Sequence, residues 1–208
     1  EFGILKPLII NLKKNRNFKT FLFIGGTHLN KKYGLTIKEI RKDISKIDGY
    51  FNYLKGNESR EGVVNSISLA TKKLSLLFKN NNFHYVCILG DRLELLSIVI
   101  NCIIYNKKII HIGGGDTTIG SSDNLVRDLL SRSSFLHMVL IKQHKEKLIS
   151  MNCNPKKIFV VGSLAIETIK NLKYLNKKQI FKKYKLDINI KTIMLSYHSS
   201  LSDTNLSL

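Results

Sequence analysis

Short apolar runs alternate with longer amphipathic stretches along almost the whole chain, and this alternation limits the folds open to it. Five runs have the composition of strands buried on both faces, at residues 20–26, 85–90, 109–113, 137–141 and 158–162. Between them, apolar residues recur at helical spacing, most clearly over residues 61–79. Strands alternating with helices over this length predict an α/β fold with a doubly wound parallel sheet.

Further helices are expected at residues 5–14, 37–47, 93–105, 143–151 and 177–185. The stretch 93–105 is apolar on nearly all sides, so we expect neighbouring elements to cover it. A helix also contains Asp123 and Arg127, which are four residues apart and therefore share one face.

The two ends of the chain differ from a complete doubly wound domain. The chain begins inside a predicted helix, without a strand before it, and residues 192–197 have the composition of a new strand. We therefore expect residues 1–172 to form a nearly complete first domain that lacks its first strand. Residues 173–208 are expected to form a linker helix and the start of a truncated second domain.

The charge balance is strongly basic, with 34 Lys and Arg against 15 Asp and Glu and a formal net charge of +19. Taken alone, this balance favours a nucleic-acid binder. Most of the positive residues are lysines scattered over polar positions, however, whereas arginine is preferred for bidentate contacts with phosphates and bases. We predict no nucleic-acid partner, and a basic nucleic-acid binder stays as an alternative.

Two further features concern the membrane and the cysteines. The longest apolar stretch, residues 95–104, is too short to cross a bilayer, so no membrane partner is predicted. Cys87, Cys102 and Cys153 are widely spaced and show no metal-ligand spacing. We expect reduced thiols in a cytoplasmic protein and no metal site.

Polar residues follow the glycines at four predicted strand ends. They are Thr27 and His28 after Gly25-Gly26, Asp91 and Arg92 after Gly90, Asp116 to Thr118 after Gly113-Gly114-Gly115, and Ser163 after Gly162. The carboxyl ends of parallel strands lie along one edge, so this set predicts a ligand crevice. Neither a dinucleotide fingerprint nor an NTPase loop follows any strand, and we predict no cofactor.

Individual residues at this edge leave alternatives open. Asp91 is equally suited to proton transfer in a desolvated crevice and to capping the next helix. Asp123 and Arg127 form either a surface ion pair or a phosphate-binding and proton-exchanging pair. His198 is a lone histidine after a strand, where it is either solvated or part of a cleft between two domains.

Several segments, taken in chain order, match the landmarks of one enzyme family. They are residues 1–8, Gly26 to Leu29 with Tyr33, Gly34 and Thr36, Gly90-Asp91-Arg92, His111 to Asp116, Asp123 to Arg127, Val161-Gly162-Ser163 and Tyr197-His198. This ordered set resembles the hydrolysing UDP-N-acetylglucosamine 2-epimerases of sialic acid and related nonulosonate synthesis. On this resemblance the chain is identified as an N-terminal fragment of a family member.

The resemblance implies two Rossmann-like domains of the GT-B type with a nucleotide sugar between them. It also implies a reaction without a redox cofactor, in which UDP is eliminated from UDP-N-acetylglucosamine and water adds to release N-acetylmannosamine. A homo-oligomer is expected for the full-length protein.

The family pattern assigns roles to individual positions. Asp91 and Asp123 match acid/base or sugar-binding carboxylates, Arg127 matches a residue that holds the reacting substrate, and His198 matches a histidine near the leaving diphosphate. The resemblance further implies substrate-binding positions, which are Glu1, His28, Arg92, Gly114, Gly115 and Asp116.

The sequence departs from the family pattern at three points. Gly113 occupies a position where many relatives carry a catalytic glutamate, and Asn124 replaces the second aspartate of a D-D-S-I-R motif. The first strand and nearly all of the second domain are absent from the sequence. We therefore expect the chain alone to be inactive. The alternatives are an epimerase of a UDP-2,4-diacetamido sugar, a non-hydrolysing epimerase and a non-catalytic sugar-nucleotide-binding module.

Overall fold

A computed structural model describes residues 1–56, 59–119, 121, 123–172 and 174–196 of the chain. Within these residues helices and strands alternate as the sequence predicts. In chain order they are α1 (Phe2–Lys14), β1 (Phe23–Gly25), α2 (Ile37–Asp43), β2 (Gly49–Phe51), α3 (Arg60–Asn80), β3 (Tyr85–Leu89), α4 (Leu96–Ile104), β4 (Lys108–Ile112), α5 (Asp123–Arg132), β5 (Leu136–Val139), α6 (Lys142–Ser150), β6 (Ile158–Val160), α7 (Leu164–Lys170) and α8 (Lys177–Lys183).

All described strands pair in parallel, which confirms the predicted α/β class. Strands β3 to β6 form one sheet in sequence order, and β1 pairs with β2 in a second sheet. In the larger sheet Leu89 lies beside Ile112, and Ile112 lies beside Met138, so the carboxyl ends of β3, β4 and β5 share one edge. Any ligand crevice of this sheet therefore lies along that edge.

The core of the larger sheet is formed by side chains from α3, α4 and α5 against β3 and β4. The buried members of this cluster are Leu74, Phe78, Ile88, Val99, Cys102, Ile109, Val126 and Leu130. Helix α5 packs into this core through Val126 and Leu130 on its inner face. Because that packing is tight, the position of α5 relative to the sheet is fixed. This packing positions the polar residues of α5.

A second core lies around β1, where Ile24 packs with three residues of the α2 region, Ile37, Ile40 and Ile44. Strands β1 and β3 are not hydrogen-bonded to each other, and a cavity of about 210 Å³ lies between them. Apolar residues of α1, β1 and β3 line much of this cavity. The facing edges of β1 and β3 are therefore separated by an apolar cleft.

Strand β2 and the end of α2 differ from what the sequence predicts. The helix expected to reach residue 47 ends at Asp43, and a strand that we did not predict follows at Gly49–Phe51. The Asp48 carboxylate accepts a hydrogen bond from the Leu22 amide at 2.8 Å, and the Asp48 amide donates to the Leu22 carbonyl at 2.9 Å. These bonds turn the chain back beside β1, a tertiary contact that apolar periodicity does not encode.

The expected helix at residues 93–105 is also different in the structure. It begins with a short 3-10 turn, and the α-helix proper starts at Leu96. The prediction that neighbours cover it on all sides is wrong, because Ile103 and Ile104 are 70% and 71% exposed. In the described structure the helices next to α4 cover only part of its surface.

The strand expected at residues 192–197 is not formed in its described part. Residues 192–196 have no regular secondary structure, and Ile193, Met194 and Leu195 are almost fully exposed. A parallel strand is stable only beside a partner, and no described strand lies next to this segment. Tyr197 lies outside the described residues.

A helix that crosses a membrane must be both long and apolar. Across the described ranges, no helix combines the length and the apolar character that crossing a bilayer requires.

Candidate functional site

Two glycines turn the chain sharply at the carboxyl edge of the larger sheet. Gly90 after β3 has φ +84°, and Gly113 after β4 has φ +81°, a backbone region that side chains with a Cβ rarely adopt. The Gly90 amide still donates to the Ile112 carbonyl, and the Gly113 amide to the Met138 carbonyl, both at 3.0 Å. The sheet ladder therefore continues up to each turn, and the residues that follow project beyond the edge.

Asp91, the residue after the first of these turns, pairs with Arg127 of α5. The Arg127 guanidinium is buried and donates to the Asp91 carboxylate. Arg127 also donates from Nη1 at 3.1 Å to the Asp116 carbonyl and to Asn124 Oδ1. One arginine thus connects two strand ends and the first turn of α5, and a planar fork of donors suits this role.

The structure excludes one reading of each residue that the sequence left open, the helix cap at Asp91 and the ion pair between Asp123 and Arg127. Asp91 does not cap a helix, since Arg92 and Leu95 are the N-cap positions that follow it. Arg127 pairs with Asp91 and not with its helical neighbour Asp123, although the two share a helix. Asp123 lies exposed at the start of α5.

Asn124 organises the loop between β4 and α5. Its Oδ1 accepts from the Thr118 amide at 2.9 Å, and its Nδ2 donates to the Thr118 and Ser121 carbonyls at 2.6 and 3.0 Å. The same Oδ1 accepts from Arg127. A carboxylate can only accept hydrogen bonds when ionised, so an aspartate here could not make the two donor contacts. The departure from the family motif therefore has a structural reason.

His111 of β4 is fully buried beneath this edge and bridges two of its segments. Its Nε2 lies 2.8 Å from the Gly90 carbonyl oxygen, and its Nδ1 lies 3.1 Å from Ser131 Oγ of α5. A carbonyl oxygen only accepts, so Nε2 donates and Nδ1 accepts the Ser131 hydroxyl proton. A Cβ on Gly114 would lie 2.8 Å from Ser131 Oγ and 2.9 Å from His111 Nδ1, so glycine leaves room for this bond.

Burial keeps His111 neutral. It lowers the pKa of His111 to about 4, and the hydrogen bond to the Gly90 carbonyl opposes this change only in part. Burial also lowers the pKa of His137, which lies beside His111 on β5 and whose Nδ1 has no hydrogen-bond partner among the described residues. Two neutral imidazoles therefore underlie the site, and neither adds charge to it at neutral pH.

Asp116, at the start of the loop after β4, is held by α6. Lys147 Nζ donates to the Asp116 carbonyl at 3.2 Å and to Thr117 Oγ1 at 3.0 Å, and it lies 3.1 Å from Asp128. His144 Nε2 lies 3.4 Å from the Asp116 carboxylate, and its buried Nδ1 has no partner in the described part of the chain. Lys147 is thus a cation at this edge that the sequence does not single out among so many lysines.

Polar residues that follow β1, β2 and β3 meet at the cleft between β1 and β3. Arg92 pairs with Glu94 at 2.9 Å and with Glu1 at 3.5 Å, and Tyr53 donates to Glu94 at 3.4 Å. The hydrogen bonds to Glu94 raise the pKa of Arg92, while burial and Glu94 raise the pKa of Tyr53. His28 lines the same cavity.

His28 itself sits in a 3-10 turn directly after β1. Its Nδ1 lies 2.7 Å from Thr36 Oγ1, and burial is the main cause that lowers its pKa. The predicted substrate-binding residues Glu1, His28 and Arg92 therefore meet around one cavity. His198 lies outside the described residues, and in the described part no three His, Cys, Asp or Glu side chains gather in a way that could hold a metal ion.

Comparison with known proteins identifies the family. The model of the UDP-N-acetylglucosamine 2-epimerase family matches residues 10–204. The chain belongs to this family. It is 32% identical over 198 residues to the GDP/UDP-N,N'-diacetylbacillosamine 2-epimerase (hydrolyzing) of Campylobacter jejuni, with 95% of this chain and 51% of that protein covered. It is 29% identical over 184 residues to the polysialic acid biosynthesis protein P7 of Escherichia coli, with 88% and 47% covered.

Solved structures of the epimerase family show the same fold. The UDP-GlcNAc 2-epimerase of Methanocaldococcus jannaschii, crystallised with UDP-GlcNAc and UDP, matches with a TM-score of 0.74 and 17% identity over 88% of this chain and 51% of that chain. The enzyme of Rickettsia bellii matches with a TM-score of 0.73 and 21% identity over 90% and 48%. The expected Rossmann-like fold of GT-B type enzymes is confirmed. The chain spans about half the length of the epimerase relatives it matches.

Proposed function

We propose that this epimerase-family chain forms the sugar-facing part of a hydrolysing UDP-N-acetylglucosamine 2-epimerase. The observation that carries the proposal is the buried Arg127 guanidinium paired with Asp91 at the carboxyl edge of the parallel sheet. The Asp116 loop and Lys147 lie directly beside this pair. Fixed cations and a carboxylate at one sheet edge suit a substrate that combines an anionic diphosphate with a sugar.

The proposed reaction eliminates UDP and then adds water across the C1–C2 double bond, so C2 of the sugar first loses a proton and later gains one while the water oxygen bonds to C1. A proton leaves C2 of the sugar, UDP departs from C1 with the bonding electrons, and water adds to the resulting 2-acetamidoglycal to give N-acetylmannosamine and UDP. Asp91 and Asp123 are the proposed proton-transfer or sugar-binding carboxylates. Arg127 and His198 stabilise the reacting substrate and the leaving diphosphate. Donors held in place before the reaction lower its barrier because they need no reorganisation.

A second substrate has support from the similar proteins. Relatives from Campylobacter jejuni and Legionella pneumophila are named as hydrolysing epimerases of N,N'-diacetylbacillosamine nucleotides, at 32% and 26% identity. A UDP-2,4-diacetamido sugar is therefore the second candidate substrate. The two sugars differ among other positions at C4, where one carries a hydroxyl and the other an acetamido group, so a direct competition separates them.

The proposed enzyme includes more than the described sheet. We propose that residues 1–172 form one Rossmann-like domain and that residues 173–208 lead into a second. The proposal of one more strand in the first domain is supported by the apolar cleft that separates the unpaired edges of β1 and β3. A cytoplasmic, homo-oligomeric enzyme is proposed for the full-length protein.

The binding test follows backbone amide signals of the 208-residue chain by NMR as UDP-N-acetylglucosamine is added. The expected changes in chemical shift are largest at the amides of Gly90, Asp91, Arg92 and the loop from Gly113 to Thr118, with further changes at His28. UDP-2,4-diacetamido sugar is titrated in parallel, and GDP-mannose is the control ligand. A titration without changes at this edge would contradict the proposal.

The turnover test uses the chain fused to the C-terminal half of the Campylobacter jejuni relative. Release of UDP and N-acetylmannosamine is followed by NMR, and Asp91→Asn is expected to lower turnover by about 100-fold or more. Lys19→Gln, a change of one exposed charge outside the site, is the matched control. Full activity of the Asp91→Asn fusion would remove Asp91 from the reaction, and full activity of the unfused chain would refute the need for a second domain.

A further inference from the structure

The amino ends of the strands in the larger sheet lie opposite the candidate functional site and collect positive charge. Tyr85, the first residue of β3, lies beside Lys108, the first residue of β4. The segments around the starts of β3 to β6 are residues 79–84, 105–108, 132–135 and 154–157. They contain no Asp or Glu and six positive side chains, which are Lys79, Lys107, Lys108, Arg132, Lys156 and Lys157. Parallel pairing therefore brings cations from distant parts of the chain to one edge.

A cavity of about 170 Å³ lies at this edge between the starts of β3 and β4. It is lined by His84, Tyr85, Asn106, Lys107 and Lys108. These side chains present ammonium, imidazole, amide and hydroxyl groups, all of which can donate hydrogen bonds. None of them is a carboxylate. A cavity with this lining suits an anion.

Aromatic rings hold the lysines of this edge in place. Lys108 Nζ lies 4.5 Å from the centre of the Phe135 ring, and Lys157 Nζ lies 4.3 Å from it. Lys107 Nζ lies 5.4 Å from the centre of the Phe83 ring. A cation–π contact positions an ammonium group without neutralising its charge. An anion that binds here therefore meets cations whose side chains are already ordered, which lowers the entropy cost of binding.

The positive charge of this edge is not balanced by carboxylates. In the described part of the chain, none of Lys107, Lys108 and Lys157 forms an ion pair. The carboxyl ends of α3 and α4 also lie at this edge, but each helix end is equivalent to only about half a negative charge. Because neighbouring ammonium groups repel each other, a bound dianion would stabilise the edge.

We propose that the cavity at the start of β3 and β4 binds a phosphate group between Lys107 and Lys108. The side chains of His84 and Asn106 donate further hydrogen bonds to the phosphate oxygens. Pockets for whole drug-sized ligands measure about 300 Å³ or more, so about 170 Å³ fits one or two phosphate groups and not a nucleotide. The site is at the opposite end of the strands from the Asp91 pair, and the proposal does not depend on the enzymatic reaction.

The test follows the backbone amide signals of the 208-residue chain by NMR at about 150 mM NaCl, where long-range attraction is screened. Sodium phosphate and sodium diphosphate are each expected to shift the amides of residues 84–85 and 106–108 in a saturable way, with a dissociation constant below about 1 mM. Glycerol 3-phosphate is titrated in parallel. Tighter binding of this ester would assign the site to phosphate esters, and tighter binding of the inorganic ions would assign it to the free anion.

Two variants test the lysines. Lys107→Gln and Lys108→Gln are each expected to raise the dissociation constant of diphosphate about tenfold, because each removes one charge-assisted hydrogen bond. Lys72→Gln is the matched control, since it removes the same charge from an exposed position of α3 outside the cavity. It is expected to leave the dissociation constant unchanged. Circular dichroism should show the same helix content in all three variants.

Three results would overturn the proposal. One is a wild-type chain whose amides at this edge show no saturable shifts up to about 10 mM phosphate and diphosphate. Another is equal weakening by Lys72→Gln and Lys107→Gln, because binding would then follow the net charge of the chain. The third is a strand of ten thymidine nucleotides that shifts these amides when diphosphate does not, which would assign the edge to a nucleic acid.

Discussion

His111→Gln is expected to change how the stability of the protein depends on pH. In the folded protein the buried imidazole has a pKa of about 4, whereas the ordinary pKa of a histidine is 6.5. The unfolded chain therefore binds more protons between these two values, and the free energy of unfolding falls as the pH falls through that window. The contribution of His111 is fully present above pH 6.5 and is lost by pH 4.

The size of the effect follows from the two pKa values. A tenfold change in proton affinity corresponds to about 1.4 kcal/mol, so the fall in pKa from 6.5 to about 4 makes His111 responsible for a loss of about 3 kcal/mol between pH 7 and pH 4. About 2 kcal/mol of this is lost by pH 5. His137 lies beside His111, and burial lowers its pKa too, so it adds to the loss in the same direction.

The assay is urea denaturation followed by circular dichroism at several pH values from about 7 to about 4. His111→Gln removes the titrating group, and we expect it to be less stable than wild type at pH 7 because the bonds to Gly90 and Ser131 are disturbed. That difference should shrink by about 3 kcal/mol toward pH 4, since only wild type loses stability through protonation of the unfolded His111.

The control is His84→Gln, which removes an imidazole from an exposed position of the same chain. This variant separates the effect of removing any one histidine from the effect of removing a buried one. Parallel stability curves for wild type and His111→Gln over the whole pH range would refute the reasoning. In that case the pKa of His111 would be the same in the folded and the unfolded protein.

Three further predictions concern packing, the loop and a thiol. Leu130→Ala removes a fully buried side chain from the core and should lower the free energy of unfolding by about 3 kcal/mol; a loss below about 1 kcal/mol in chemical denaturation would contradict tight packing there. Asn124→Asp removes the two donor contacts of the amide and should cost about 1 kcal/mol, seen as a melting temperature about 3 °C lower; an unchanged melting temperature would contradict the assigned amide contacts. Cys102 is buried in the core, where burial raises the pKa of its thiol to about 12, so it should react with Ellman's reagent at pH 8 only after unfolding, whereas the exposed Cys87 should react in the folded protein. Reaction of two thiols at similar rates in the folded protein, with Cys102 as one of them, would contradict the burial of Cys102.

Strands and helices with a strong apolar period could be predicted from the sequence. Strands β3 to β6 coincide with apolar runs, and α3 extends over Arg60–Asn80 where residues 61–79 were expected. Strand β2 could not be predicted, because it has three residues and owes its position to the bonds between Asp48 and Leu22. The strand at residues 192–197 was expected from composition alone, but a strand requires a partner as well as suitable residues.

The residue types of the candidate site could be predicted, but not their partners. Helical spacing connects Arg127 with Asp123, whereas the structure pairs it with Asp91, which is 36 positions away in the chain. Lys147 could not be distinguished by sequence among the many lysines, and it stands out only because α6 brings it to the Asp116 loop. The burial of Ser97 and Asn101 in α4 could not be predicted either, because both side chains hydrogen-bond to carbonyl groups of α3.

The sequence by itself determined the class of fold, the edge of the sheet where polar residues collect, and the family to which the chain belongs. These properties follow from local patterns, namely strand-length apolar runs, glycines at strand ends and ordered short motifs. The tertiary structure alone decided which charges pair, which imidazoles are desolvated and which apolar face stays open. Pairing and burial depend on distances between segments far apart in the chain, and these distances are set by packing rather than by the order of residues.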